Sequence, residues 1–286
     1  MPERNSIPRR EKALEQSMIQ FKRFLEQEEK SEATIEKYLR DVRVFLAHLN
    51  GRAICKEAAI RYKEYLSEHY APVSANSMLV SLNCFLRFYG KADACVKLFK
   101  IQQQIFCQEE KELSREEYRR LIQAAGNTRL SFVLQTICCT GIRVSELQYI
   151  TVEAVHTGKT IVNCKNKTRV IFVPEHIQKM LKRYIKKSGL KTGSVFVSKN
   201  GRPLNRSNIW REMKALCEKA NVAPEKVYPH NLRHLFARTF YSLDRDIARL
   251  ADLLGHSSIN TTRIYTMETG RQHLYQLEQV QKLLRT

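Results

Sequence analysis

Nowhere in its 286 residues does the chain hold an apolar run near the roughly 20 residues that a membrane-spanning helix requires. Its start, MPERNSIPRREK, is basic with no apolar segment behind it, so it does not read as a secretory signal. Eight cysteines, at 55, 84, 95, 107, 138, 139, 164 and 217, are scattered without one CxxC pair. That arrangement gives no support for a zinc site and fits reduced thiols in a cytoplasmic protein. No internal repeat, low-complexity tract or carboxylate cluster of metal-ligand type is present. Tryptophan occurs once, yet 12 Tyr, 12 Phe and a hydrophobic content of 43% suffice for real cores. The length allows one large domain or two ordinary ones.

Acidic residues are scarce in one part of the chain only. Residues 1–110 hold 18 basic and 15 acidic side chains, whereas residues 111–286 hold 31 and 14. Almost the whole formal charge of +20 therefore sits in the second part. A surplus of this size opposes compaction and attracts polyanions, which favours nucleic acid over an anionic membrane surface as partner. A merely soluble basic protein explains the sign but not the concentration.

The periodicity predicts a mainly α chain. Residues 11–49 read as two amphipathic helices, with Leu14, Met18, Phe21, Phe24 and Leu25 on the first. Ile35, Leu39, Val42, Leu46 and Leu49 line the second, and Ser31 is placed to cap it. A third helix covers about 56–69. A fourth follows the punctuation of Pro72 and Ser74, giving a small helical domain over 11–99. Residues 100–111 (KIQQQIFCQEEK) have no clean period and read as a linker.

The second domain, 112–286, opens on LSREEYRRLIQAA, where Ser114 and Glu117 form a capping-box pattern. Another apolar helix, 129–140, ends at Thr140-Gly141. KTIVNC and RVIFVP, around KNKT, predict a β-hairpin, and SVFVSKNGRPL a third short strand with an Asn-Gly turn. The remainder is helical, so this domain is mixed α+β with a small antiparallel sheet.

Four stretches of the second domain carry polar groups that packing alone does not demand. In TGIRVSEL, Arg143 sits at a turn with Glu146 three residues on; alone this is a surface pair worth little. In CKNKTR, Lys165, Lys167 and Arg169 lie close to the hairpin tip, which is either a solvated turn or a cationic finger. In HNLRHLFART, Pro229 opens a helix that sets His230 and Arg233 on one face, with His234 and Arg238 beside them. In LGHSSINTTRIY, Gly255 ends a helix over about 244–254, His256 follows, and Tyr265 falls two turns into a new helix. A lone tyrosine there is more often packing than a nucleophile.

Together these groups suit attack on a phosphodiester without a metal. A tyrosine hydroxyl with a pKa near 10 is a poor nucleophile until its proton is taken. Two arginine forks can hold the non-bridging oxygens as negative charge gathers there. A lysine or histidine supplies a proton to the leaving sugar oxygen. The phosphotyrosine product keeps the energy of the broken bond, so rejoining needs no ATP.

TGIRVSEL, HNLRHLFA and LGHSSINTTRIY resemble the motifs of the tyrosine recombinase (phage integrase) family, in its order and near its spacings. SEATIEKYLRDVRVFL and SANSMLVSLNCFLRFY look like its helical core-binding domain, so the resemblance runs from about residue 11 to the end. It implies that Arg143 and Arg233 clamp the scissile phosphate and that His230 accepts the proton of Tyr265. It makes His256 a further donor to the phosphate, and Tyr265 the nucleophile of a 3′-phosphotyrosyl link that frees a 5′-hydroxyl. Lys165 best matches the hairpin lysine that protonates that leaving group. Many relatives read GKGNKxR there, and CKNKTR is one residue shorter, so Lys167 is the alternative.

The resemblance further implies site-specific recombination of double-stranded DNA by a homo-tetramer on two sites, without cofactor, metal or ATP. A catalytically inactive DNA-binding regulator of the same fold is the alternative; a type IB topoisomerase would share the chemistry without site specificity. About ten residues precede the first helix, which fits a compact Xer-like or small mobile-element type in a prokaryotic cytoplasm, at the nucleoid. The tail, 269–286, carries Leu274, Leu277, Val280 and Leu284 at helical steps. Such a stripe packs on its own domain or, as the resemblance implies, on a neighbouring subunit.

Overall fold

The computed structural model describes residues 7–101, 109–164, 167–198, 200–265 and 270–285. The chain divides into two compact units, Met1–Gln103 and Gln104–Thr286.

The first unit contains α1 (Ile7–Gln27), α2 (Glu32–Leu49), α3 (Lys56–His69) and α4 (Pro72–Phe88). The apolar stripes expected from the sequence form its core. Phe21, Leu25, Ile35, Leu39, Val42 and Phe85 make one cluster, and Phe45, Tyr62, Leu66, Leu79, Leu82 and Leu86 another. Pro72 lies inside α4 rather than before it, because its fixed φ suits a first helical turn whose N–H has no partner anyway. Ser31 stands at the cap of α2, but its hydroxyl pairs with Thr34 Oγ1 at 2.8 Å instead of a backbone N–H. Buried Asp41 is compensated by Lys37 Nζ at 2.6 Å and the Ser81 hydroxyl at 2.9 Å.

The second unit begins with α5 (Arg115–Ala125), where Ser114 and Glu117 make the reciprocal capping box. It continues through α6 (Arg129–Thr140), α7 (Val152–Thr157), β1 (Lys159–Cys164), β2 (Lys167–Phe172) and α8 (Glu175–Ser188). After these come α9 (Arg206–Lys214), α10 (Cys217–Ala220), α11 (Pro229–Asp244), α12 (Ile247–Leu254), α13 (Ile259–Arg263) and α14 (Gly270–Leu284). β1 and β2 pair antiparallel, with Val162 opposite Arg169 and Cys164 opposite Lys167. The core of this unit gathers Leu134, Ile137, Val155, Ile171, Leu181, Phe196 and Leu232.

The expected third strand does not join that sheet. Val195 N–H bonds instead to Ile150 O at 2.8 Å, and Val152 N–H to Gly193 O at 3.0 Å. Val195 and Phe196 are buried in the helical core, which holds the segment against the loop after α6. Around the Asn-Gly turn the segment closes on itself, with Ser198 N–H donating to Arg202 O at 2.7 Å.

Among the described residues no helix is long and apolar enough to cross a membrane. The tail forms α14 as expected, and its stripe faces outward: Leu274, Leu277, Val280 and Leu284 are all exposed.

Candidate active site

Helix α6 ends at Gly141, whose φ of 64° is left-handed and whose missing Cβ leaves room for the Phe236 ring. The chain then turns into a short 3-10 segment, Val144–Tyr149, capped by Arg143. Glu146 organises this turn. Its carboxylate accepts from Arg143 N–H at 2.7 Å and from Arg143 Nη1 at 3.1 Å. The reading of Arg143 and Glu146 as a surface pair needs correction, because Glu146 is 1% exposed while Arg143 keeps a partly open guanidinium.

Arg233, on α11, is turned fully inward rather than shared with His230 on an open face. Nη1 donates to Gly141 O at 2.6 Å, and Nη2 to Leu254 O at 2.7 Å and to His256 Nε2 at 2.9 Å. Burial first, then the charge of Arg143, pulls its pKa down to about 10, so it stays cationic at neutral pH. Its Nε is buried without a hydrogen-bond partner, a donor whose desolvation costs on the order of 1–3 kcal/mol.

Gly255 ends α12 in the left-handed conformation, and His256 follows, with its N–H on Ala251 O at 3.0 Å. Since Arg233 only donates, His256 Nε2 is the acceptor. Nδ1 then carries the proton and donates to the Thr262 hydroxyl at 2.8 Å. Burial, with Arg233, Arg143 and Arg169 adding to it, lowers His256 to about 4. His230, at the start of α11 and exposed, is likewise lowered to about 4, by partial desolvation first and then by His234, Arg233 and Arg143.

Tyr265 lies just beyond the five-residue helix α13, not two turns inside a longer one. Ser258 caps that helix, and the backbone turns at Tyr265. The tyrosine is 3% exposed, packed with Ala237, Leu250, Leu254 and Phe236. Its ring stacks 5.9 Å from that of His256 and meets His234 edge-on at 4.7 Å. It also interacts electrostatically with Arg233. His230 lies one ring further out, 4.6 Å from His234.

Arg143, His230, Arg233, His256 and Tyr265 are thus drawn to one place. Lys165 lies outside the described residues, and Lys167 opens β2. His234 and Arg238 converge on Glu112, at 3.3 and 3.2 Å, a carboxylate that the sequence reading missed. Burial opposes ionisation of Glu112, but these partners outweigh it and hold its pKa below the usual value.

Arg169 also departs from expectation. Instead of sitting near a solvated tip it lies within β2, with a side chain only 11% exposed. It pairs with Glu146 and donates from Nη1 to Leu253 O at 2.5 Å. Strand alternation carried the signal: Ile171, two residues on, is buried, while Val170 and Phe172 are exposed. Arg143, Glu146, Arg169, Gly255 and His256 line an open cavity of about 1230 Å³. Among the described residues no group of three or more His, Cys, Asp or Glu is arranged to hold a metal ion.

The model of the phage integrase family matches residues 111–271. Tyrosine recombinase XerA of Pyrococcus furiosus is 30% identical over 275 residues, covering 92% of this chain and 93% of that protein. The crystal structure of XerA recombinase is similar at 25% identity and a TM-score of 0.51, over 93% of this chain and 98% of that one. A lambda integrase tetramer bound to a Holliday junction shares the fold at 17% identity and a TM-score of 0.70, over 88% and 76% of the two chains. A mainly helical chain with a small antiparallel sheet is the integrase-type architecture. The chain belongs to the phage integrase family. It is an enzyme, a tyrosine recombinase acting in site-specific recombination; the reading as an inactive regulator is not favoured.

Proposed function

We propose that this recombinase breaks and rejoins double-stranded DNA through a 3′-phosphotyrosyl link to Tyr265. The observation that carries the reading is the buried Arg233, which bonds His256 and stands beside Tyr265. Arg143 and Arg233 donate to the non-bridging oxygens of the scissile phosphate, Arg233 with the donors that Gly141, Leu254 and His256 leave free. His230, neutral at physiological pH because its pKa is low, is free to take the tyrosine proton. His256 adds a donor to the phosphate. Lys165, with Lys167 as the alternative, protonates the departing 5′-oxygen. Because Tyr265 is buried, its hydroxyl must turn toward the DNA before attack.

Residues 11–99 serve as the core-binding domain, 100–111 as the linker and 112–286 as the catalytic domain. The working form is a homo-tetramer on two DNA sites. The lambda integrase assembly named above supports that reading, as does the exposed apolar stripe of α14, which has the character of a helix that docks on a neighbouring subunit. Deletion of 271–286 should then spare binding to a single site and impair recombination. The scattered cysteines and basic surplus favour the cytoplasm of a prokaryote, at the nucleoid, and a compact Xer-like or mobile-element role. Incubation with nicked duplexes tests the chemistry. A covalent adduct and joining of two duplexes are expected; relaxation of DNA without site preference would indicate a topoisomerase, and no adduct a regulator.

A further inference from the structure

We infer that Arg169 is a positioning residue for the phosphate clamp, acting on Arg143 through Glu146 and on the His256 turn through Leu253. This rests on the reading of Arg143 as a clamp of the scissile phosphate.

Arg169 reaches the site from β2 with a side chain 11% exposed, and one guanidinium serves two acceptors at once. Nη2 pairs with Glu146 Oε2, and Nη1 donates to Leu253 O at 2.5 Å. The same Glu146 oxygen receives Arg143 N–H, and the other oxygen receives Arg143 Nη1. Glu146 is therefore shared between two arginines, and the group of three carries one net positive charge. Without Arg169, the buried carboxylate would belong to Arg143 alone and cancel the charge that the clamp must present to a phosphate.

The second contact fixes the other side of the cavity. Leu253 O, taken by Arg169, adjoins Leu254 O, taken by Arg233. These are the last carbonyls of α12, which otherwise end a helix unsatisfied. The next residue is Gly255, and the Arg169 side chain occupies the space where a Cβ there would stand. A glycine at that position both permits the left-handed turn and admits the arginine under His256. Only a planar fork reaches a carboxylate and a carbonyl together; a lysine, as a point charge, can favour one.

The test compares single-turnover cleavage of a normal scissile phosphodiester with that of a methylphosphonate, whose methyl group removes the charge that the clamp neutralises. Wild type, Arg143→Ala, Arg169→Met and Arg169→Lys are measured. Arg169→Met should lose about 10²-fold on the phosphodiester, the scale of a small misplacement at a reacting centre. On the methylphosphonate it should recover most of that loss, in parallel with Arg143→Ala. Arg169→Lys keeps Glu146 paired and guards against a variant that fails to fold; it should lose about tenfold on the phosphodiester and recover likewise.

An equal defect of the Arg169 variants on both substrates, with Arg143→Ala recovering, would reduce Arg169 to a structural role and overturn the inference. Wild-type cleavage by folded Arg169→Lys would overturn it too. If Arg143→Ala itself fails to recover, the clamp reading falls, and with it the route through which Arg169 acts.

Discussion

Arg233 Nη2 donates to Nε2 of His256 at 2.9 Å, which fixes that histidine as neutral with its proton on Nδ1. For His256 to donate to a phosphate through Nε2, it must gain a proton when the anion arrives. The folded pKa of about 4 lies below the unfolded value near 6.5. The unfolded chain therefore binds more protons between these values, and stability contributed by neutral His256 is lost as pH falls from about 6.5 toward 4.

Two results are expected from this pair. By NMR, His256 should titrate near 4 in the free protein and well above that when DNA occupies the site. In urea unfolding, wild type should lose more stability between pH 7 and pH 4.5 than His256→Gln does. A free-protein pKa at or above 6.5 would contradict the hydrogen-bond assignment.

Gly255→Ala separates backbone strain from contact. Gly189, with a φ of 68° and open space around it, supplies the control, since alanine there bears only the left-handed cost of about 1–2 kcal/mol. Gly255→Ala should be less stable than Gly189→Ala and should also lose cleavage, because its methyl displaces Arg169. Equal loss of stability in both variants, with cleavage intact, would show that the Arg169 contact is of no consequence.

A substrate with a 5′-bridging phosphorothiolate identifies the leaving-group acid, because sulfur departs without a proton. Lys165→Ala should be rescued, whereas Lys167→Ala should show little defect to rescue. Rescue confined to Lys167→Ala moves the role to that residue.

DNA affinity should depend steeply on salt, as the surplus of 31 basic over 14 acidic residues in 111–286 implies. With some 6–10 phosphate contacts, the binding constant falls about 10³- to 10⁵-fold between about 50 and 200 mM salt. A nearly flat dependence would deny the backbone contacts that the charge suggests.

The parts of this fold legible in the sequence are those governed by local rules. The capping box of Ser114 and Glu117, the left-handed end at Gly255 and the stripe of Ile35, Leu39 and Val42 each follow from a few adjacent residues. What was not legible depends on distant partners. Val195 and Phe196 have strand character, but burial among helices decides their hydrogen bonding, so among the described residues no third strand joins the sheet. Glu146 reads as half of a surface pair until Arg169, twenty-three residues on, covers it. Tyr265 stands out by type and spacing, whereas its burial against His234 and His256 depends on how α11, α12 and α13 meet. The alternation of β2, which puts Arg169 on the face of buried Ile171, outweighs the charge around it.

The most direct test of the account removes one oxygen. Tyr265→Phe keeps the ring that packs with Leu250, Leu254 and Ala237 and loses only the hydroxyl. With nicked duplex substrates, wild type should form a covalent protein–DNA adduct that maps by mass spectrometry to Tyr265. Tyr265→Phe should bind the same DNA with nearly unchanged affinity and form none. An adduct formed by Tyr265→Phe, or one on another residue of the wild type, would contradict the assignment of Tyr265 as nucleophile.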